Sequence, residues 1–229
     1  MKKFKLTSEF IVDISGVKLF RIKALIEFGN VKAGDLGGYI EKEENLSHMG
    51  DAWVSDDARI SGNAQVFGNA QVFGNAQVFG DAWVFGNARV FGNARVSGDA
   101  QVFGDAQVFG DAQVFGDAWV FGNARVFGDA WVFGNARVSG NARVSGDAQV
   151  FGDARVSGDK DYAYAHGFGS CNRTTTFFRL KDGDVGVRCG CFYGTLAQFR
   201  DKVCETHGET KKAQEYLMLA DLMEIRFKN

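Results

Sequence analysis

The sequence predicts a mainly β chain built around a parallel β-solenoid, and three observations carry that prediction. A six-residue period, Ala-x-Val-(Phe/Ser)-Gly-(Asn/Asp), runs from Ala52 to Asp159 as 18 hexads without insertion. The 229 residues include 30 Gly and no Pro, which argues for a backbone that returns repeatedly to positive φ rather than for collagen or Pro-rich linkers. At both ends the hexads give way to non-repeating sequence. We therefore expect an N-terminal β cap over residues 1–51, about six triangular coils over 52–159, and a C-terminal ββαα module over 160–229.

Each hexad has a simple physical reading. Ala-x-Val is a short strand with Ala and Val facing in and x facing out. The next three residues turn the chain, with Gly and then Asn or Asp as the residues that best tolerate a tight corner. Three strands and three corners close an 18-residue triangle, and stacking at about 4.8 Å makes a body about 25–30 Å long. The interior then holds 18 Ala, 17 Val and Ile60, a narrow dry core. The first hexad departs from the pattern at Asp56, where later hexads carry Gly. Phe follows Val in twelve hexads and Ser in six, so corner rings should stack in ladders such as Phe73, Phe91, Phe109 and Phe127.

The outward x residues are 7 Gln, 7 Arg and 4 Trp, and those are all the Trp in the chain. The 18-residue register puts Trp83, Gln101, Trp119, Arg137 and Arg155 on one face. Two readings stand: a partner-binding stripe, since Trp and Arg dominate interface hot spots, or Gln ladders and Arg–aromatic stacking that only finish a solenoid surface. The repeat carries 7 Arg against 11 Asp and no Lys, and the whole chain has a net charge of −2. That is a poor nucleic-acid binder. An acidic rod imitating DNA is weakened by the interspersed Arg, and an ice-binding face by the absence of outward Thr in the x row.

The flanks carry ordinary strand and helix signals. Glu9 to Ile14 and Val17 to Ile26 are apolar-rich strands joined at Ser15-Gly16. In the tail, Thr174 to Leu180 and Val185 to Phe192 form a hairpin around Lys181-Asp182-Gly183-Asp184. Thr195 is an N-cap for a helix burying Leu196, Phe199 and Val203, stopped by Gly208. Thr210 opens a second helix with Ala213, Tyr216, Leu217, Ala220 and Met223 inward. The basic start lacks the apolar run of a signal peptide, and no stretch approaches the ~18 apolar residues of a membrane span. The expectation is a cytoplasmic chain with its four Cys reduced and no membrane partner.

The segment Leu19 to Val54, LFRIKALIEFGNVKAGDLGGYIEKEENLSHMGDAWV, followed by the hexads, resembles a family of uncharacterised phage and prophage proteins, and the tail from Cys171 to Phe227 resembles their tail module. The chain is also similar to a bacterial hexapeptide-repeat protein grouped by fold with acetyltransferases. The resemblance implies a left-handed parallel β-helix, against the usual right-handed crossover, and, for a phage-encoded protein, the host cytosol. It brings no activity with it.

Three chemistries compete within this frame. An acyltransferase using acetyl-CoA needs a His base in reach of its acceptor, but His48, His166 and His207 all lie outside the unbroken hexads. A zinc site would draw on Cys171, Cys189, Cys191, Cys204, His166 and His207, yet the paired C-x-x-C spacing is missing and buried reduced Cys is the plainer reading. The donor-rich run Asn172, Arg173, Thr174, Thr175, Thr176, Arg179 and Arg188 suits a small anion, with Arg173, Thr175, Arg179 and Arg188 as its binding set; the alternative is ordinary strand decoration. The expectation is a non-catalytic scaffold without a cofactor. It presents the tail module and the aromatic and Arg faces to a protein partner or a small anionic ligand, with interference with a host defence as one use and homo-oligomers permitted. The alternative is the acetyl-CoA acyltransferase.

Overall fold

A computed structural model describes residues 2–168 and 173–228. Three strands open the chain: β1 (Phe4–Val12), β2 (Lys18–Ala24) and β3 (Leu36–Ile40). They pair antiparallel in that order. The β1–β2 turn is tied by Asp13, whose Oδ1 accepts from the Ser15 and Val17 N–H groups (both 2.9 Å). Strands β4 to β21 are the short rungs from Trp53–Val54 to Arg155–Val156, one per hexad. They stack into three parallel sheets. The first face begins on β3 and continues through the rungs at Arg59, Gln77, Arg95, Gln113, Trp131 and Gln149. The second runs from Trp53 to Arg143 and the third from Gln65 to Arg155.

The six expected coils are preceded by one atypical turn made from the cap. Ile40 pairs with Ile60 and Leu46 bridges to Val66, a longer step along the chain than the regular one from Trp53 to Gln71. About seven turns result, and the cap is continuous with the first sheet.

Every inward Ala and Val is fully buried, in one cluster that runs from Phe4 to Phe178. Corner glycines are needed twice over. Gly80 sits at φ +72°, and a Cβ on it would lie 3.0 Å from the Gly98 nitrogen of the next coil. Asp56 is the one non-Gly residue at positive φ among the described residues, at +56°. Its Oδ2 accepts from the Gly74 N–H (3.0 Å), which partly offsets the strain.

Outside the paired rung residues, the coil-to-coil hydrogen bonds run one way. The N–H of each outward residue donates to an Ala carbonyl of the following coil, as from Gln71 to Ala88 (2.9 Å) and from Arg89 to Ala106 (2.9 Å). These bonds leave spare carbonyls on the first coil and spare N–H groups on the last, and each set needs the opposite partner. At the first coil, buried Lys3 donates from Nζ to the Gly50 and Ala52 carbonyls (3.2 and 2.7 Å) and lies over the Phe28 ring (4.7 Å). Buried Asn45 donates from Nδ2 to the Gly62 and Ala64 carbonyls (3.1 and 2.8 Å). At the last coil the partners are acceptors. Asp159 Oδ1 takes the Arg143 N–H (2.9 Å), Thr176 Oγ1 takes the Gln149 N–H (2.9 Å), and Asp161 Oδ2 takes the Ser157 and Gly158 N–H groups (2.9 and 3.1 Å). Burial pushes the Asp161 carboxyl up, but the hydrogen bonds from Ser157 and Gly158 outweigh it and hold the group below its ordinary value.

The tail is a four-stranded antiparallel sheet, β22 (Tyr162–Phe168), β23 (Arg173–Arg179), β24 (Val185–Cys189) and β25 (Phe192–Thr195), followed by α1 (Leu196–His207) and α2 (Lys211–Phe227). The expected ββαα unit thus gains two strands. Tyr162 to Phe168 pairs on the outer side of β23, and the expected return strand breaks at Gly190, where φ is +58°. Both helix starts are as the sequence implied. Thr195 Oγ1 accepts from the Gln198 N–H (3.3 Å) while Gln198 Oε1 accepts from the Thr195 N–H (2.9 Å), and Thr210 accepts from the Ala213 N–H. Strand β23 joins the two halves. Phe178 is buried in the solenoid core and its neighbour Phe177 in the tail core with Val187, Phe199, Tyr216 and Ala220. The last coil is therefore covered.

This packing makes the response to overfilling and to pH measurable. Ala106→Leu overfills a fully buried position and should lower stability by about 1–3 kcal/mol, read as a lower urea midpoint at unchanged slope. The Lys3 ammonium is pushed down from 10.5 to about 8, by burial first and against the pull of Asp51. Between those two values the unfolded chain holds a proton that the folded chain has released, so the Lys3 contribution to stability rises with pH. A neutral amine keeps two N–H donors for the two carbonyls. The stability advantage of the native chain over Lys3→Met should therefore grow between about pH 8 and 10.5, measured by urea unfolding at stepped pH.

Candidate functional site

The third face brings the sequence-predicted stripe together in order. Trp83 pairs with Gln101, Gln101 with Trp119, Trp119 with Arg137, and Arg137 with Arg155. Trp83 is 43% exposed and Trp119 is half-buried. The Arg137 guanidinium lies over the Trp119 ring at 4.4 Å. Arg155 is turned back instead, donating from Nη1 to the Asn135 and Ala154 carbonyls (3.0 and 2.8 Å), so it braces the last coil more than it faces outward.

A phenylalanine ladder borders this face. Phe67, Phe85, Phe103 and Phe121 stack at 4.8, 4.8 and 5.0 Å with nearly parallel rings. Trp83 meets Phe67 edge-on at 6.0 Å and Trp119 meets Phe103 edge-on at 6.1 Å. Each indole is thus fixed by a ring from the preceding coil, and the two indoles stand about 10 Å apart along the stack. The expected ladder of Phe73, Phe91, Phe109 and Phe127 forms at the next corner, with spacings of 4.8, 4.8 and 5.0 Å. The other two Trp go elsewhere. Trp53 is buried under the cap against Phe28, and Trp131 packs on Phe115 of the first face.

The four candidate anion-binding residues do not converge. Thr175 is buried and donates to Cys189 Sγ (3.1 Å). Arg179 donates to the Phe227 carbonyl (2.8 Å) and stacks on the Phe227 ring. Arg188 donates to Gln149 Oε1 (3.3 Å) and lies over Phe151, which fastens the tail to the last coil. Arg173 lies across Gly190 instead. The pleat puts Arg188, opposite Thr176, on the solenoid side, while Arg173, Thr175 and Arg179 share the other side but are spread along β23 with Thr175 buried between the two Arg. Asn172 lies outside the described residues.

The cysteines are likewise dispersed. Cys189 is half-buried with Tyr216 Oη at 3.8 Å, while Cys191 and Cys204 are exposed. Among the described residues no three His, Cys, Asp or Glu side chains gather as a metal site, and Cys171 lies outside those residues. His48 belongs to the cap: Nδ1 accepts from the Lys3 N–H (3.1 Å), Nε2 meets Glu43 Oε1 (2.6 Å), and Phe4 stacks on the ring at 4.4 Å. His166 meets Thr174 Oγ1 at 2.8 Å.

Sequence reasoning did not reach the roles of Lys3, Asn45, Asp159 and Asp161 at the solenoid ends. No local pattern singles out the first two: Lys3 lies between Lys2 and Phe4, and Asn45 between Glu44 and Leu46. The corner residues also form columns that it had not resolved. Asn63 donates to Asp81, Asn69 to Asn87, Asn87 to Asp105 and Asn93 to Asp111 (3.0 to 3.1 Å). The 18-residue register also superposes Asp81, Asp99 and Asp117, three carboxylates with no amide between them.

The fold and these faces define a β-solenoid repeat protein. The family model described as the YdcK beta solenoid repeat matches residues 58–74, 82–98, 88–104, 130–146 and 136–150, all within the hexads. No curated protein matches the chain. No helix among the described residues is long and apolar enough to cross a membrane.

Asp99→Asn should stabilise the solenoid by about 0.5 kcal/mol, since it replaces stacked like charges with an amide-to-carboxylate bond of the kind Asn63 makes to Asp81. Urea midpoints at low and high salt check this: the gain should shrink as salt screens the repulsion.

Proposed function

We propose that the chain is a non-catalytic scaffold whose third face docks a protein partner. One observation carries the reading. Trp83 and Trp119 stand on one flat sheet, each held edge-on by a ring of the Phe67–Phe121 ladder, with Arg137 stacked on Trp119. Large aromatic and Arg side chains fixed before contact lose little entropy on binding, which is what interface hot spots require. The solenoid adds a rigid backbone in which every coil is bonded to its neighbour. The resemblance of the cap and tail to phage proteins extends the reading to a phage-encoded protein acting in the host cytosol, with a host or phage protein as partner and interference with a host defence as its use.

The test is affinity capture from a host lysate with the native chain and with Trp83→Ala/Trp119→Ala. Capture of a defined partner should fall at least tenfold in the variant, with the circular dichroism spectrum unchanged. Equal capture removes the third face from the proposal. Saturable acetyl-CoA binding abolished by substitution of one His would replace it with the acyltransferase reading.

A further inference from the structure

A pocket of about 270 Å³ opens in the tail between α1 and the β24–β25 turn. Its apolar part is aromatic. Phe199 meets Tyr216 edge-on at 5.7 Å, Phe192 lies 5.6 Å from Phe199, and His207 stacks on Tyr216 at 5.8 Å. Its polar part is cationic, with Arg173 and Lys202 lining the same pocket as His207 and no Asp or Glu among the described lining residues. Lys202 shares its charge with exposed Glu205 (2.8 Å), whereas Arg173 makes no ion pair among the described residues.

The backbone is shaped to place Arg173 there. Gly190 sits at φ +58°, between Cys189 and Cys191, and a Cβ on it would collide with Arg173 Nη1. The absent side chain lets the guanidinium lie close over the turn beside the aromatic wall. In a chain of net charge −2, this is a local concentration of positive charge next to ring faces. Such a surface holds an anion with a flat apolar body: rings pack on rings, and a carboxylate, sulfonate or phosphate meets the guanidinium fork. The volume lies just below the roughly 300–1,000 Å³ of drug-sized pockets, so it takes a molecule of about one or two rings.

We propose that this pocket binds a small planar aromatic anion, its ring against Phe199 and Tyr216 and its charge toward Arg173 and Lys202. The site is separate from the third-face stripe, so either can fail without the other.

The experiment titrates the full chain with naphthalene-2-carboxylate and with the neutral naphthalene-2-carboxamide, following amide shifts by NMR. The carboxylate should move resonances around Arg173, Phe192, Phe199 and His207 and bind at least tenfold more tightly than the amide. Arg173→Gln, at an exposed position, should remove most of that preference, and Lys202→Gln part of it, while Arg125→Gln on the solenoid should leave it intact. Bound carboxylate should also slow alkylation of Cys191 by iodoacetamide. Equal affinity for carboxylate and amide, binding indifferent to Arg173→Gln, or no binding up to millimolar carboxylate would each overturn the proposal.

Discussion

The hydrogen bond from each coil to the next is the constraint on which the rest of the molecule depends. Outside the paired rung residues it runs from an N–H to a carbonyl of the following coil, and this gives the stack a direction. A polar backbone group left unpaired at a buried end is costly. The two ends therefore differ in the backbone groups they leave unpaired. Lys3 and Asn45 bring N–H donors to the carbonyl end, and Asp159, Asp161 and Thr176 bring acceptors to the amide end. The cap and the tail are in this sense the missing halves of the first and last coils.

The same bond forces like onto like. A coil made of three hexads superposes equivalent hexad positions at every level of the stack. Rings gain from this, as the parallel Phe ladders show. Amides gain too, because Asn is both donor and acceptor and hands a bond along its column. Charges lose: Arg125 sits opposite Arg143, and Asp99 between Asp81 and Asp117. The outward variation among Gln, Arg and Trp relieves part of this repulsion. It is also what makes the three faces chemically distinct on an otherwise uniform interior.

Strand β23 connects the solenoid to the tail by elementary strand geometry. Adjacent side chains point to opposite sides, so Phe178 closes the solenoid core while Phe177 starts a second one. Arg188, Lys181 and Arg226 then tie the tail to the last coil through Gln149, Asp153 and Asp159. The tail pocket is lined from β23, the β24–β25 turn, α1 and α2, with no residue of the hexads, and this leaves it open while the last coil is sealed.

The hexads determined the triangular coil, its inward Ala and Val, the Phe ladders and the grouping of Trp83, Trp119 and Arg137 on one face, because each of these follows from a period and a register that are local properties of the chain. The caps Thr195 and Thr210 were legible for the same reason. What only the tertiary structure decided involves residues brought together across long separations. Lys3 meets Ala52, Arg155 folds back to Asn135, and Arg179 finds Phe227. The extra turn from the cap and the strand Tyr162–Phe168 were hidden because neither carries the repeat. The donor-rich run from Arg173 to Arg188 looked like one site in sequence, but Arg188 faces the solenoid side of the sheet and Arg173, Thr175 and Arg179 are spread along the other. The pocket beside Arg173 exists because Tyr216 of α2 completes an aromatic wall with Phe199 next to a glycine turn, and no local pattern encodes that contact.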